Sequence, residues 1–243
     1  MKKPEISPPR KEDNPTELRD LFGNQKAFAR QFPHKRYFTP LIQEFVKPGS
    51  KNVPKLSRYS IAAMVAEENG DYAKPYIDME GRLPKPKFDN LSEQAGLTKS
   101  RRETIDSRIY LDGEFGLALC FDKLPCAVVG FDKNIVDHYV INQLQIAELY
   151  NYGNRARLHP EVFVENLRWE KLLLRAVEIT LVQLGATHFA VRSAANNFYT
   201  DPENGRLPMS RAIIRYDATA RRSGYKKGDD GNYHKIIEQP ATQ

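Results

Sequence analysis

Tyr139-Val140-Ile141-Asn142-Gln143-Leu144-Gln145 is the stretch on which the fold turns. It reads as a strand, and a long loop and a long helix around Arg168-Trp169-Glu170-Lys171 follow it. A short second strand, His188-Phe189-Ala190-Val191-Arg192, runs into Ser193-Ala194-Ala195-Asn196-Asn197. A strand, helix, strand unit of this length is a crossover, which favours a parallel pair. The helix is expected over residues 160–184. Leu167, Leu174, Val177, Leu181 and Leu184 form one stripe, Leu172, Leu173, Ile179 and Val182 widen it, and Gly185 stops it. Downstream, Tyr216-Asp217-Ala218-Thr219-Ala220-Arg221-Arg222-Ser223 reads as a helix stopped by Gly224-Tyr225. A last strand, 232–237, follows the turn residues 228–231.

Upstream, the β signal begins near Ser107. Residues 108–111 and 115–121 read as strands joined by the turn dipeptide Asp112-Gly113. Turns at 122–125 and 132–134 separate two further strands, 126–131 and 135–145. Such short turns demand antiparallel neighbours, so this is a meander. Residues 16–32 read as one amphipathic helix with Leu18, Leu21, Phe22, Phe28 and Phe32 on one face, weakened at Gly23. A second helix is expected over 36–46 with Pro40 in its first turn. A third is expected over 61–66, with Ser57 as N-cap and its end near Asn69-Gly70. Residues 71–100 read as irregular, with one short helix near 91–95.

The fold class expected is therefore α/β, more narrowly α+β. A mixed, mostly antiparallel sheet is flanked by helices, with a helical N-terminal region. Residues 1–15, rich in Pro, Lys and Glu, are expected to be a disordered basic tail. Residues 16–100 would pack on a domain formed by 101–243.

The chain has 243 residues, of which 40% are hydrophobic, with 12 Phe and 12 Tyr, enough for a substantial core. No apolar run approaches the roughly 20 residues that a membrane helix needs. Met1-Lys2-Lys3-Pro4-Glu5 leads into no apolar segment, so a secretory signal is not expected and a cytoplasmic location is. Cys120 and Cys126 read as small buried hydrophobes, and two cysteines without paired histidines make no zinc site. The net charge of +6 permits contact with nucleic acid. The basic residues are spread over the tail, over Lys99, Arg101 and Arg102, and over Arg221, Arg222, Lys226 and Lys227. P-loop, Rossmann, nucleophile-elbow, His-Glu-x-x-His and EF-hand motifs are absent from the sequence. This argues against common nucleotide hydrolases, dehydrogenases, serine hydrolases and zinc proteases.

The order of meander, long helix, strand ending in Asn, helix, Gly-aromatic and strand resembles the GNAT superfamily of N-acyltransferases over residues 107–237. Ala220-Arg221-Arg222-Ser223-Gly224-Tyr225 is similar to that family's aromatic-x-x-Leu-Gly-Phe ending. The resemblance implies transfer of an acyl group from acetyl-CoA or another acyl-CoA to a small-molecule or macromolecular amine, with no metal. It places the pantetheine arm in a gap between the fourth and fifth strands, with Asn197 contacting the arm. It places the pyrophosphate at the N–H groups opening the long helix, where a helix dipole favours an anion.

The family's glycine-rich phosphate motif is not matched. The segment 151–156 offers one glycine, Gly153, and Arg155 and Arg157 are the nearest phosphate partners. Glu161 and Glu165 near the expected helix start repel phosphate. Where the family often has a catalytic Tyr this chain has Ala220, and Tyr216 lies one helical turn earlier as the candidate acid. Gln143 and Gln145 share a strand face that would orient a polar substrate, and Glu148 is the candidate base. His138, His188 and His159 are further ionisable candidates, and Trp169 reads as a packing anchor. The alternatives to acyl-CoA transfer are a non-catalytic GNAT-like protein that binds nucleic acid or protein, and a transferase using aminoacyl-tRNA. Oligomeric state is left open.

Overall fold

The computed structural model describes residues 15–50, 53–66, 72–73, 90–97, 105–106, 109–135, 137–151, 155–197, 200 and 207–238. Three short helices come first: α1 (Pro15–Gly23), α2 (Gln25–Gln31) and α3 (His34–Glu44). The expected single helix over 16–32 is broken at Asn24, whose Oδ1 accepts the N–H groups of Lys26 and Ala27 and so starts a new helix. Pro40 sits inside α3 rather than in its first turn, where it forgoes one backbone hydrogen bond. The helix holds because Phe38, Leu41 and Ile42 are buried.

The main correction is at 61–66. These residues are β1 (Tyr59–Val65), and Ser57 lies in the 3₁₀ turn Leu56–Arg58 instead of capping a helix. The Ile-Ala-Ala-Met run has helical propensity, but every residue of β1 pairs in register with the strand beside it, from Tyr59 opposite Phe121 to Val65 opposite Phe115. Tertiary pairing overrides weak local preference.

Two-residue strands and a short helix follow: β2 (Tyr72–Ala73), α4 (Asn90–Gln94), β3 (Ile105–Asp106) and β4 (Ile109–Tyr110). The short helix falls where it was expected. β4 pairs with β2, outside the main sheet. Then come β5 (Phe115–Phe121), β6 (Leu124–Ile135) and β7 (His138–Ile146). The turn between β5 and β6 is only Asp122-Lys123, both with positive φ (46° and 69°), the backbone of a two-residue hairpin turn. β6 runs through the expected turn at 132–134, because Asp132 and Lys133 pair with Val140 and Tyr139.

β8 (Tyr150–Asn151) and β9 (Ala156–Arg157) form a small sheet with β3. The expected helix over 160–184 divides into a 3₁₀ turn, Pro160–Phe163, and α5 (Trp169–Val182), with chain reversals between them. Gly185, at φ 93°, closes it. β10 (His188–Val191) is followed by the 3₁₀ turn Ala194–Asn196. The helix over 209–222 is continuous. It begins as α6 (Met209–Ala212), widens to π-helix over Ile213–Ala218 and ends as α7 (Thr219–Arg222). β11 (Lys226–Lys227) and β12 (Tyr233–Ile236) complete the chain.

The main sheet has seven strands in the order β1-β5-β6-β7-β10-β12-β11. Only β7 and β10 are parallel, as the crossover requires. The fold is thus α+β, with a mostly antiparallel sheet and helices at the N-terminus. Phe22 joins α1 to the sheet, with its ring 5.6 Å from Phe115 and 5.8 Å from Phe131. α5 buries Leu172, Leu173, Ala176, Val177 and Leu181. Cys120 and Cys126 are free and buried, and burial pushes the Cys120 thiol up to about 12. Among the described residues no helix is long and apolar enough to cross a membrane.

Candidate functional site

The parallel pairing of β7 with β10 stops early. Its register runs from His138 opposite His188 to Ile141 opposite Val191, and Arg192 N–H donates to Ile141 O at 3.0 Å. β10 then turns away, while β7 continues to Ile146. At the same point β7 bulges. Gly130 pairs with Gln143 but Phe131 pairs with Ile141, so Asn142 is the extra residue. One edge of β7 is released from its neighbour strand where β10 turns away.

Two side chains meet that edge. Asn197 Nδ2 donates to Asn142 O at 2.9 Å, and Leu144 N–H donates to the Tyr216 hydroxyl at 3.1 Å. Tyr216 lies in the π-helical stretch and is 1% exposed, with Ala212 and Ala220 buried on the same face. Helical insertions of this kind redirect a side chain and recur at functional sites. Asp217 Oδ1 accepts Ala194 N–H at 2.8 Å, which ties the helix to the exit of β10. Burial raises the Tyr216 phenol above its usual range; Leu144 N–H, Arg215 and Asn197 offset this in part. The phenol therefore stays protonated at neutral pH, and its oxygen accepts the Leu144 N–H.

The other sequence-derived residues are engaged elsewhere. The Gln143 amide is turned away from this edge: its Oε1 accepts Asp112 N–H at 3.0 Å and its Nε2 donates to Tyr110 O at 2.9 Å. It clamps the segment after β4 onto the sheet. Gln145 is half-buried. Glu148 and Arg157 are exposed and face each other at 3.6 Å. Arg155 is exposed with φ 54°, and Gly153 lies outside the described residues. The N–H groups before α5 have partners: Val162 N–H donates to His159 O, Val164 N–H to Glu161 O and Arg168 N–H to Phe45 O. Glu161 is in the 3₁₀ turn and Glu170 is in the first turn of α5, where burial raises its carboxyl. Trp169 is buried, with the Arg215 guanidinium 5.6 Å from its ring.

A second feature was not legible as a site. A cavity of about 470 Å³ opens across β6, β7, β10 and β12, lined by Asp132, His138, Arg192, Asn196, Asp230 and His234 among others. His138 and His188 stand side by side because they open the two parallel strands in register. His234 joins them because β12 pairs with β10. Their ring centroids lie 6.0 Å and 6.4 Å from that of His138. His234 Nε2 bonds to Asp230 at 2.8 Å, and Asp230 is held down to about 2 by His234 and Asn232. Among the described residues no group of His, Cys, Asp and Glu is placed to hold a metal ion.

No family model matches this chain, and no curated protein matches it. The reading of the site therefore rests on geometry.

Proposed function

We propose that this chain is a GNAT-like N-acyltransferase that moves an acyl group from acyl-CoA to an amine, with its reacting centre on the edge of β7 that β10 leaves. The observation that supports this is the pairing of Leu144 N–H with the Tyr216 hydroxyl at 3.1 Å beside a bulge. A thioester carries a carbonyl oxygen and a sulfur on one carbon, and here a backbone donor and an un-ionised phenol lie side by side. A thioester entering the gap would replace their mutual hydrogen bond. Leu144 N–H would then donate to the carbonyl oxygen as charge develops there, an effect worth about 10²–10³ in rate for a single donor. As the amine attacks, the C–N bond forms and the C–S bond breaks. The Tyr216 phenol protonates the departing thiolate, and water or a carboxylate takes the amine proton. Asn197 holds the Asn142 carbonyl in place beside the phenol.

A second reading also has an observation behind it. The same two side chains fill the released edge, and the N–H groups near residue 162 are already bonded. Arg221, Arg222, Lys226 and Lys227 are exposed together. A repurposed fold that binds nucleic acid through this basic cluster would look the same.

Calorimetric titration with acetyl-CoA, with desulfo-CoA as control, separates them. Acyl transfer requires micromolar binding and amine-dependent thiol release, with Tyr216→Phe keeping the binding and losing turnover. No heat at millimolar acetyl-CoA, with salt-sensitive RNA or DNA binding lost on changing Arg221 and Arg222, sinks the transferase reading.

A further inference from the structure

The cavity across β6, β7, β10 and β12 lies outside the acyl-transfer centre and uses none of its side chains. Its floor is a row of side chains across the sheet. Val140, Ala190 and His234 stand side by side in register on three adjacent strands, with His138 and Arg192 two residues along the same faces. The alternation of a strand keeps these side chains on one side of the sheet. Ala190, at the centre of that row, is what leaves room.

One wall is fixed by a closed network. Asn232 Oδ1 accepts from Ser193 N–H and from Asn196 Nδ2, while Asn232 Nδ2 and His234 Nε2 bond the two oxygens of Asp230. The Asp132 carboxylate is likewise taken, by Glu114 N–H and Asn142 Nδ2. The acidic groups are therefore satisfied within the protein. The cation is not: among the described residues no hydrogen bond or ion pair engages the side chain of Arg192, which lines the cavity on the face of Ala190. His138 Nε2 is buried and also has no partner among the described residues. Buried polar atoms are nearly always bonded, and an exception asks for a ligand or water. A volume of about 470 Å³ is in the range of small-molecule pockets.

We infer that this cavity binds a small anion, a phosphate ester or a carboxylate, gripped by Arg192 and bonded by His138. The inference stands whether or not the chain transfers acyl groups. Guanidinium is the side chain best matched to either head group, and the asparagine network presents it with preformed walls.

The experiment is a titration of the full chain followed through its five histidine rings by ¹H–¹⁵N NMR. One arm adds inorganic phosphate, the second citrate, and sodium chloride at matched ionic strength is the control. Saturable shifts confined to His138, His188 and His234 are expected from the phosphate arm, the citrate arm or both, and the responding arm identifies the head group. His34 and His159 should stay still. Arg192→Gln, with unchanged His34 and His159 signals as proof of folding, should weaken binding about tenfold or more. No saturable shift at tens of millimolar in either arm, equal movement of all five rings, or full binding by Arg192→Gln each overturn the inference.

Discussion

Replacing Tyr216 by Phe tests the released edge of β7 directly. The ring and its packing survive and only the hydroxyl is removed, so the change isolates one contact. Leu144 is 0% exposed, and its N–H donates to that hydroxyl. Without it the donor is stranded on an edge that β10 has already left, and a buried donor left unmade costs about 1–3 kcal/mol. For a chain of this size each kcal/mol moves the melting midpoint by about 2–4 °C, so the variant should melt about 2–12 °C lower. Thermal unfolding followed by far-UV circular dichroism reads this. If the proposed acyl transfer is right, the same variant should lose about 10²-fold or more in kcat with KM little changed, the pattern expected when a proton donor to the leaving group is removed. A midpoint within a degree of wild type would refute the structural step: Leu144 N–H would then have another acceptor, and the phenol would not be the group that closes the edge.

Gly130→Ala should lose about 1–3 kcal/mol in urea unfolding, because an added Cβ would meet Asp112 O at 2.5 Å and Gln143 Oε1 at 2.6 Å; wild-type stability would mean that the Gln143 clamp is loose. Glu178 is 1% exposed between Arg175 at 2.7 Å and Lys235 at 2.8 Å, joining α5 to β12. Glu178→Gln should cost about 2–4 kcal/mol, less than for a fully buried pair because Arg175 is half exposed, whereas Glu148→Ala should stay within about 0.5 kcal/mol. The His138 ring titrates below its ordinary 6.5, chiefly through burial, then through His188 and His234, against weaker opposing pulls from Asp137 and Asp230. The unfolded chain therefore takes up this proton first, so stability falls as pH drops through 6.5 and levels off below the folded value. His138→Gln should flatten that slope in urea midpoints, and an unchanged slope would assign the pH dependence to other groups.

The strands legible in the sequence were those whose hydrogen bonding is set locally. β5 came out to the residue because Asp112-Gly113 and Asp122-Lys123 bracket it and every residue from Phe115 to Phe121 is buried. The crossover also followed from length alone, and with it the parallel pairing of β7 and β10. β1 was missed because an Ala-Ala-Met run has helical propensity and only its partner β5 makes it a strand. Gln143 read as a substrate ligand because period-two spacing tells which face a residue takes, not what stands opposite it. The segment 110–112 does, and it takes both ends of the amide.

By itself the sequence determined the meander of β5, β6 and β7, the crossover through α5 to β10, and the placing of Asn197 just after β10 and Tyr216 in the helix that follows. Only the tertiary structure decided that β10 leaves β7 beyond Ile141 and so releases the edge those two side chains meet, and that His138 and His234 line one cavity with His188 beside His138. The physical reason is that register and bulges arise from hydrogen bonds between strands far apart in the chain. A one-residue shift in that register moves every side chain to the opposite face without changing a single local pattern.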